Sequence, residues 1–161
     1  MMVLKLLKST LIYFYSGSGY RVEVYLKAIF FLKERGCNRI AKYISNRLQR
    51  KFGVFISPKS NFDNSLKLKH PIGIVIGDGV TLGKNVTIYQ NVTLGGARIG
   101  DAELSNYPSV GDGTTIFAGA VIIGKITVGK NSIIGANSVV TRDVPDDCKV
   151  AGVPARIIGN K

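Results

Sequence analysis

The sequence predicts a mainly β protein: a parallel β-helix of six-residue repeats behind a short α-helical N-terminal region. Three observations carry this. Apolar residues recur every six positions from Ile56 onward, glycine and asparagine recur between them, and before that point the apolar spacing is helical instead.

Counting by six from Ile56 gives Phe62, Leu68, Ile74, Val80, Val86 and Val92, then Arg98 and Leu104. The count resumes with Val110, Ile116, Ile122, Val128, Ile134 and Val140. Arg98 and Leu104 share one polar stretch, and the other thirteen of these fifteen positions are large and apolar. Each hexapeptide supplies one short strand and one corner, so three make a triangular coil of about eighteen residues. The aliphatic side chains stack inward, and each coil buries the apolar face of the next. Glycine and asparagine suit the corners, where other residues pay a steric cost.

The interruption, "GGARIGDAELSNYPSV" (95–110), holds Asp101, Glu103 and Tyr107. About twelve of its residues, 97–108, read as a loop extruded from one corner, because Arg98 in a buried strand would be an unpaired charge. With the loop removed, the expected coils are 56/62/68, 74/80/86, 92/110/116 and 122/128/134. The domain plan is a helical region over 1–53, the β-helix over 54–150 and a C-terminal tail over 151–161.

In the helical region, "RVEVYLKAIFFLKERGCNRIAKYISNRLQRKFG" spaces apolar residues three and four apart, including Ile40, Tyr43, Ile44 and Leu48. Breaks fall at Ser16-Gly-Ser-Gly and Arg35-Gly36. Residues 1–53 carry eleven Lys/Arg and two acids, against eleven and eight over 54–161. The basic character is therefore local, which suits an anionic lipid surface or a phosphate-bearing substrate and argues against nucleic acid as partner. "VLKLLKSTLIYFYS" is broken by Lys5 and Lys8, too short and charged to span a bilayer, and no small-residue cleavage site follows it. Cys37 and Cys148 form no metal or redox motif and read as reduced thiols, consistent with a cytoplasmic protein.

His70 is the sole histidine. It lies two residues after Leu68, and its expected equivalents in later coils are Ile88, Ala118 and Ala136. Small residues there leave a groove where backbone amides are reachable. One histidine excludes a three-histidine zinc site, so no metal is expected. "GAVIIGK" (119–125) mimics a phosphate loop, but Ile126 stands where a Ser or Thr is required.

Three stretches carry a family likeness: "HPIGIVIGDGVTLGKNVTIYQNVTLGG", "IFAGAVIIGKITVGKNSIIGANSVVTRDVP" and "AGVPARIIG". Over roughly 54–159 the chain resembles the hexapeptide-repeat acyltransferases of the serine acetyltransferase-like branch. The resemblance implies a left-handed β-helix, a homotrimer with active sites between subunits, and acetyl-CoA as co-substrate. It implies His70 as general base and a CoA arm lying near Ala118, Gly119 and Ala136, with Gly95 and Gly96 close by. Lys130, Arg142 and Arg156 are candidates for the CoA phosphates. Lys69, Gln90, Asp101 and Tyr107 are candidates for the acceptor side. Asp63 or a backbone carbonyl is left to orient the imidazole.

The sequence departs from that branch where it would read serine. Ser57-Pro58 stands in place of His-Pro, Lys69 in place of the aspartate before the base, and Tyr107-Pro108 in place of a second His-Pro. The expected function is therefore acetyl-CoA-dependent O-acetylation of a sugar or surface-polysaccharide precursor, in the cytoplasm or at the inner membrane face. The alternatives are serine O-acetylation in cysteine biosynthesis, which a thiol-release assay with serine separates, and a non-catalytic scaffold, which CoA would not stabilise.

Overall fold

The computed structural model describes residues 17–161. The helical reading of 1–16, and with it the "VLKLLKSTLIYFYS" stretch, lies outside the described residues. Helix α1 (Ser18–Glu34) and helix α2 (Asn38–Phe52) meet at the expected break, where Gly36 takes φ +70°. Helix α2 ends on Gly53, a left-handed residue whose N–H donates to the Gln49 carbonyl, the usual way a helix closes on glycine. The face that α2 buries is Ala41, Ser45 and Leu48, with Ile44 half-buried. Ile40 and Tyr43 are more than half exposed, so the expected apolar face is rotated. Tyr43 instead meets Arg47, which also reaches Tyr25.

The repeat region is a left-handed parallel β-helix. Its first coil is β1 (Phe55–Ile56), β2 (Asn61–Phe62) and β3 (Lys67–Leu68). The second is β4 (Val75–Ile76), β5 (Thr81–Leu82) and β6 (Thr87–Ile88). The third is β7 (Thr93–Gly95), β8 (Ser109–Val110) and β9 (Thr115–Ile116). The fourth is β10 (Val121–Ile123), β11 (Thr127–Val128) and β12 (Ile133–Ile134). The chain ends in β13 (Val139–Val140), β14 (Cys148–Gly152) and β15 (Ala155–Asn160). Three faces result. Face A is β1-β4-β7-β10-β13, face B is β2-β5-β8-β11, and face C is β3-β6-β9-β12-β14-β15. All pairings are parallel except β14 with β15. The segment expected as a tail is thus the return strand of a hairpin that extends face C.

Strand register corrects the expected coils. Ile56 pairs with Ile76, Phe62 with Leu82 and Leu68 with Ile88, each twenty residues apart rather than eighteen. Ile76 pairs with Leu94 at the regular eighteen, and Leu82 with Val110 at twenty-eight. The coils are therefore 56/62/68, 76/82/88, 94/110/116 and 122/128/134. Two residues are inserted after β3 and ten, not twelve, between β7 and β8. The two insertions sum to two hexapeptides, which is why a count by six came back into step. Each early repeat carries two buried aliphatics, such as Val80 and Leu82 or Val86 and Ile88, and the count had moved from one set to the other.

Arg98 and Leu104 both lie in the extruded loop, exposed, as the cost of burying Arg98 requires. The prism interior and the helices share one apolar cluster, in which Val22, Leu26 and Ile29 of α1 join Phe62, Leu66 and Ile74.

Candidate active site at the C–A edge

The two-residue insertion is His70-Pro71 itself. Lys69 and Tyr89 occupy equivalent places, their N–H groups donating to the Ile88 and Ile116 carbonyls. Asn91 donates to the Ile72 carbonyl, Gly119 to that of Gln90 and Asn137 to that of Ala118, so Ile72, Gln90, Ala118 and Ala136 form the next ladder. Between these ladders only the first coil has two residues to spare. His70 therefore has no counterpart in other coils, and Gln90 rather than Ile88 is the second coil's member of the alanine ladder. The insertion pushes the imidazole out of the prism: His70 is exposed, at φ +48°, while Pro71 is buried. A histidine in left-handed backbone is held there by its surroundings and marks a site worth explaining.

His70 lines two clefts. One, about 590 Å³, lies between β3 and helix α1. The other, about 500 Å³, is formed with Ser18, Lys51, Phe52 and Gly53. The imidazole ring is 6.3 Å from the Tyr89 ring, which in turn stacks on Phe117 at 5.0 Å. Tyr89 and Phe117 occupy the outward position after the buried Ile88 and Ile116, and the two-residue alternation of a strand is the signal that would have found them. No hydrogen bond to the imidazole occurs among the described residues. Asp63 does not orient it, because its carboxylate accepts from the Ser65 backbone N–H and hydroxyl, and this holds it below the usual carboxylate range.

The residues expected to hold the co-substrate lie on three different edges. Ala118, Gly119 and Ala136 follow β9 and β12 on the C–A edge, above His70. Gly119 has φ +71°, and a Cβ there would come within 2.1 Å of Asn137 Oδ1, so a larger residue requires the Asn137 side chain to move. Gly95, Gly96 and Arg142 lie on the A–B edge, after β7 and β13. Space is open above Gly95, where an added Cβ would meet nothing within 4 Å. Lys130 lies on the B–C edge, its backbone N–H bound to Asp146 Oδ1. Arg142 and Arg156 share a cleft of about 360 Å³. One chain does not bring all eight residues together.

The acceptor candidates also separate. Lys69 and Gln90 flank the insertion, and the Gln90 Oε1 atom is buried with no hydrogen-bond partner among the described residues. Asp101 is committed to its own loop, accepting from the Ala97 and Arg98 N–H groups at 2.6 and 2.7 Å and from Asn106 Nδ2 at 3.0 Å. These bonds, the Asn106 amide first, hold its carboxyl below the usual range, so it fastens the extruded loop. Tyr107 packs over Gly77 and Gly79 and lines a separate cleft with Lys59, Asp78 and Ser105. Sequence reasoning places Lys67 beside His70 but misses the cleft it lines, the Tyr89–Phe117 stack and the contribution of helix α1.

Residues 107–142 match the family model "Bacterial transferase hexapeptide (six repeats)". The chain is 37% identical over 145 residues to serine acetyltransferase of Buchnera aphidicola, covering 90% of this chain and 50% of that one. It superposes on the crystal structure of serine acetyltransferase from Brucella abortus with a TM-score of 0.80 at 33% identity, over 93% of this chain and 65% of that one. A serine acetyltransferase in complex with CoA gives a TM-score of 0.77 at 35% identity, over 91% and 60%. The chain spans about half the length of the curated relative. The chain thus carries the hexapeptide repeat over 107–142 and is similar over nine-tenths of its length to serine acetyltransferases.

Proposed function

We propose that the protein is an acetyl-CoA-dependent O-acetyltransferase in which His70 is the general base. The observation that carries this is the His70-Pro71 insertion, which departs from an otherwise regular coil to present the chain's one histidine between two clefts. Acetyl-CoA supplies an activated acetyl thioester. An acceptor hydroxyl is a poor nucleophile until its proton is removed, and a positioned imidazole taking that proton contributes about 10²–10⁴-fold. The new C–O bond forms as the C–S bond breaks, and the proton held on His70 passes to the leaving thiolate. A backbone N–H near the glycines of the A–B edge suits the developing oxyanion.

The relatives favour serine as acceptor over the sugar that Lys69, Ser57 and Tyr107 had suggested, and none of them supports a role in polysaccharide synthesis. They also lend no support to contact with an anionic membrane, and no helix among the described residues is long and apolar enough to cross one. Assembly into a homotrimer follows from the same reading: a co-substrate touching both Ala118 and Gly95 spans two edges, which neighbouring copies bring face to face. The cytoplasm is the compartment implied. His70→Ala removes thiol release from acetyl-CoA with serine by at least about 100-fold. The melting temperature stays unchanged, because the exposed imidazole makes no hydrogen bond among the described residues. Full activity in that variant would refute the mechanism.

A further inference from the structure

The cleft between helix α1 and the first coil carries a charge that its walls leave unbalanced. Strand alternation turns Leu68 inward and sets Lys67 and Lys69 outward, side by side on its floor. His70 and Pro71 close one end, and Val22, Glu23, Leu26 and Lys27 of α1 form the wall. Glu23 is the one carboxylate lining it, and Lys27 already pairs with that group at 2.7 Å. Neither Lys67 nor Lys69 has an ion-pair or hydrogen-bond partner among the described residues. In the coils above, the matching outward pairs are Thr87 with Tyr89 and Thr115 with Phe117. Along the Lys67 ladder the charge is absent at Thr87, Thr115 and Ile133 and returns only at Lys149 in β14. Two unpaired lysines lining one cleft give it a positive potential that an anion relieves.

We propose that Lys67 and Lys69 bind an oxyanion group of the acceptor, a carboxylate or a phosphate, and so hold its hydroxyl against His70. This rests on the acetyl-transfer reading and adds the charge of the molecule that enters. Lysine serves such groups as a point charge with three donors, tolerant of either geometry. The aromatic pair above the lysines then faces the uncharged part of the acceptor.

Because His70 is the sole histidine, its ring resonances need no assignment. Inorganic phosphate added at fixed pH and ionic strength shifts them saturably in the native protein and leaves them unmoved in the Lys67→Ala/Lys69→Ala double variant, whose melting temperature is unchanged. No shift in the native protein, or the same shift in the variant, overturns the proposal. A second arm compares thiol release from acetyl-CoA with serine against serinamide, and with glucose 1-phosphate against glucose. The anionic member of the preferred pair shows a KM lower by about tenfold or more, as charge-assisted hydrogen bonds give. The double variant erases the difference, and the preferred pair tells carboxylate from phosphate. Equal KM values within every pair that reacts overturn it. If no acceptor reacts while phosphate still shifts His70, the acetyl-transfer reading falls and the anion site stands.

Discussion

At the scale of the residue, the corners are tied by short side chains, and Asp78 is one of them. Its Oδ1 accepts the Ser57 hydroxyl at 2.6 Å and its Oδ2 the Lys59 ammonium at 3.1 Å, joining the second coil to the first. These partners, the buried Ser57 first, hold its carboxyl below the usual range. A carboxylate with a depressed folded pKa stabilises the fold above its unfolded pKa, near 4, and that contribution disappears as pH falls through the folded value. Asp78→Asn keeps an acceptor for Ser57 and removes the charge. With its side chain 41% exposed, screening limits the effect to about 0.5–1 kcal/mol at pH 7. Thermal melts are expected to show the variant below the native protein at neutral pH, the two converging in acid as the Asp78 carboxyl takes up its proton. A gap that persists unchanged into acid would show that the charge contributes nothing.

At the scale of the element, the instructive feature is how much a regular repeat reveals and what it hides. The β-helix was legible because a hexapeptide of one strand and one corner leaves a period in the chain that no other architecture needs. The phase was not legible, because Val80 and Leu82, or Val86 and Ile88, are both buried aliphatics, so either satisfies the count. Insertions of two and ten residues then cancelled. The cleft over Lys67 and its α1 wall stayed hidden because they belong to packing between a helix and a coil, which carries no period. His70 itself was legible as the lone histidine, though not as the insertion. Excising His70-Pro71 restores an eighteen-residue first coil. The expected product keeps its melting temperature within a few degrees and loses acetyl transfer. Excising Lys84-Asn85, two residues from a regular corner, breaks register between Leu82 and Ile88 and is expected to prevent folding. Circular dichroism and thiol release on the two deletions check both outcomes, and equal damage to the fold would contradict the assigned insertion.

At the scale of the whole molecule, the prism and the two helices are one thermodynamic unit. A solenoid stabilises by neighbour contacts, so coils at either end are its weakest part unless capped. Helices α1 and α2 cap the first coil: Val22, Leu26 and Ile29 belong to the same buried cluster as Phe62 and Leu66, and the Ser45 hydroxyl donates to the Ile56 carbonyl. The far end is closed by the hairpin of β14 and β15, where Val150 lies against Ile134. Ile88, at the centre of the stack, is fully buried, and Ile88→Ala leaves a cavity between its neighbours Leu68 and Ile116. Such a truncation costs about 2–5 kcal/mol. With a continuous core the loss is felt by both parts: the helical and the β components of the far-ultraviolet circular dichroism fall together, at one lowered midpoint. A helical transition that stays at the native temperature while the prism melts early would mean that the helices stand on their own, and the cleft they form beside His70 would then be adjustable rather than built.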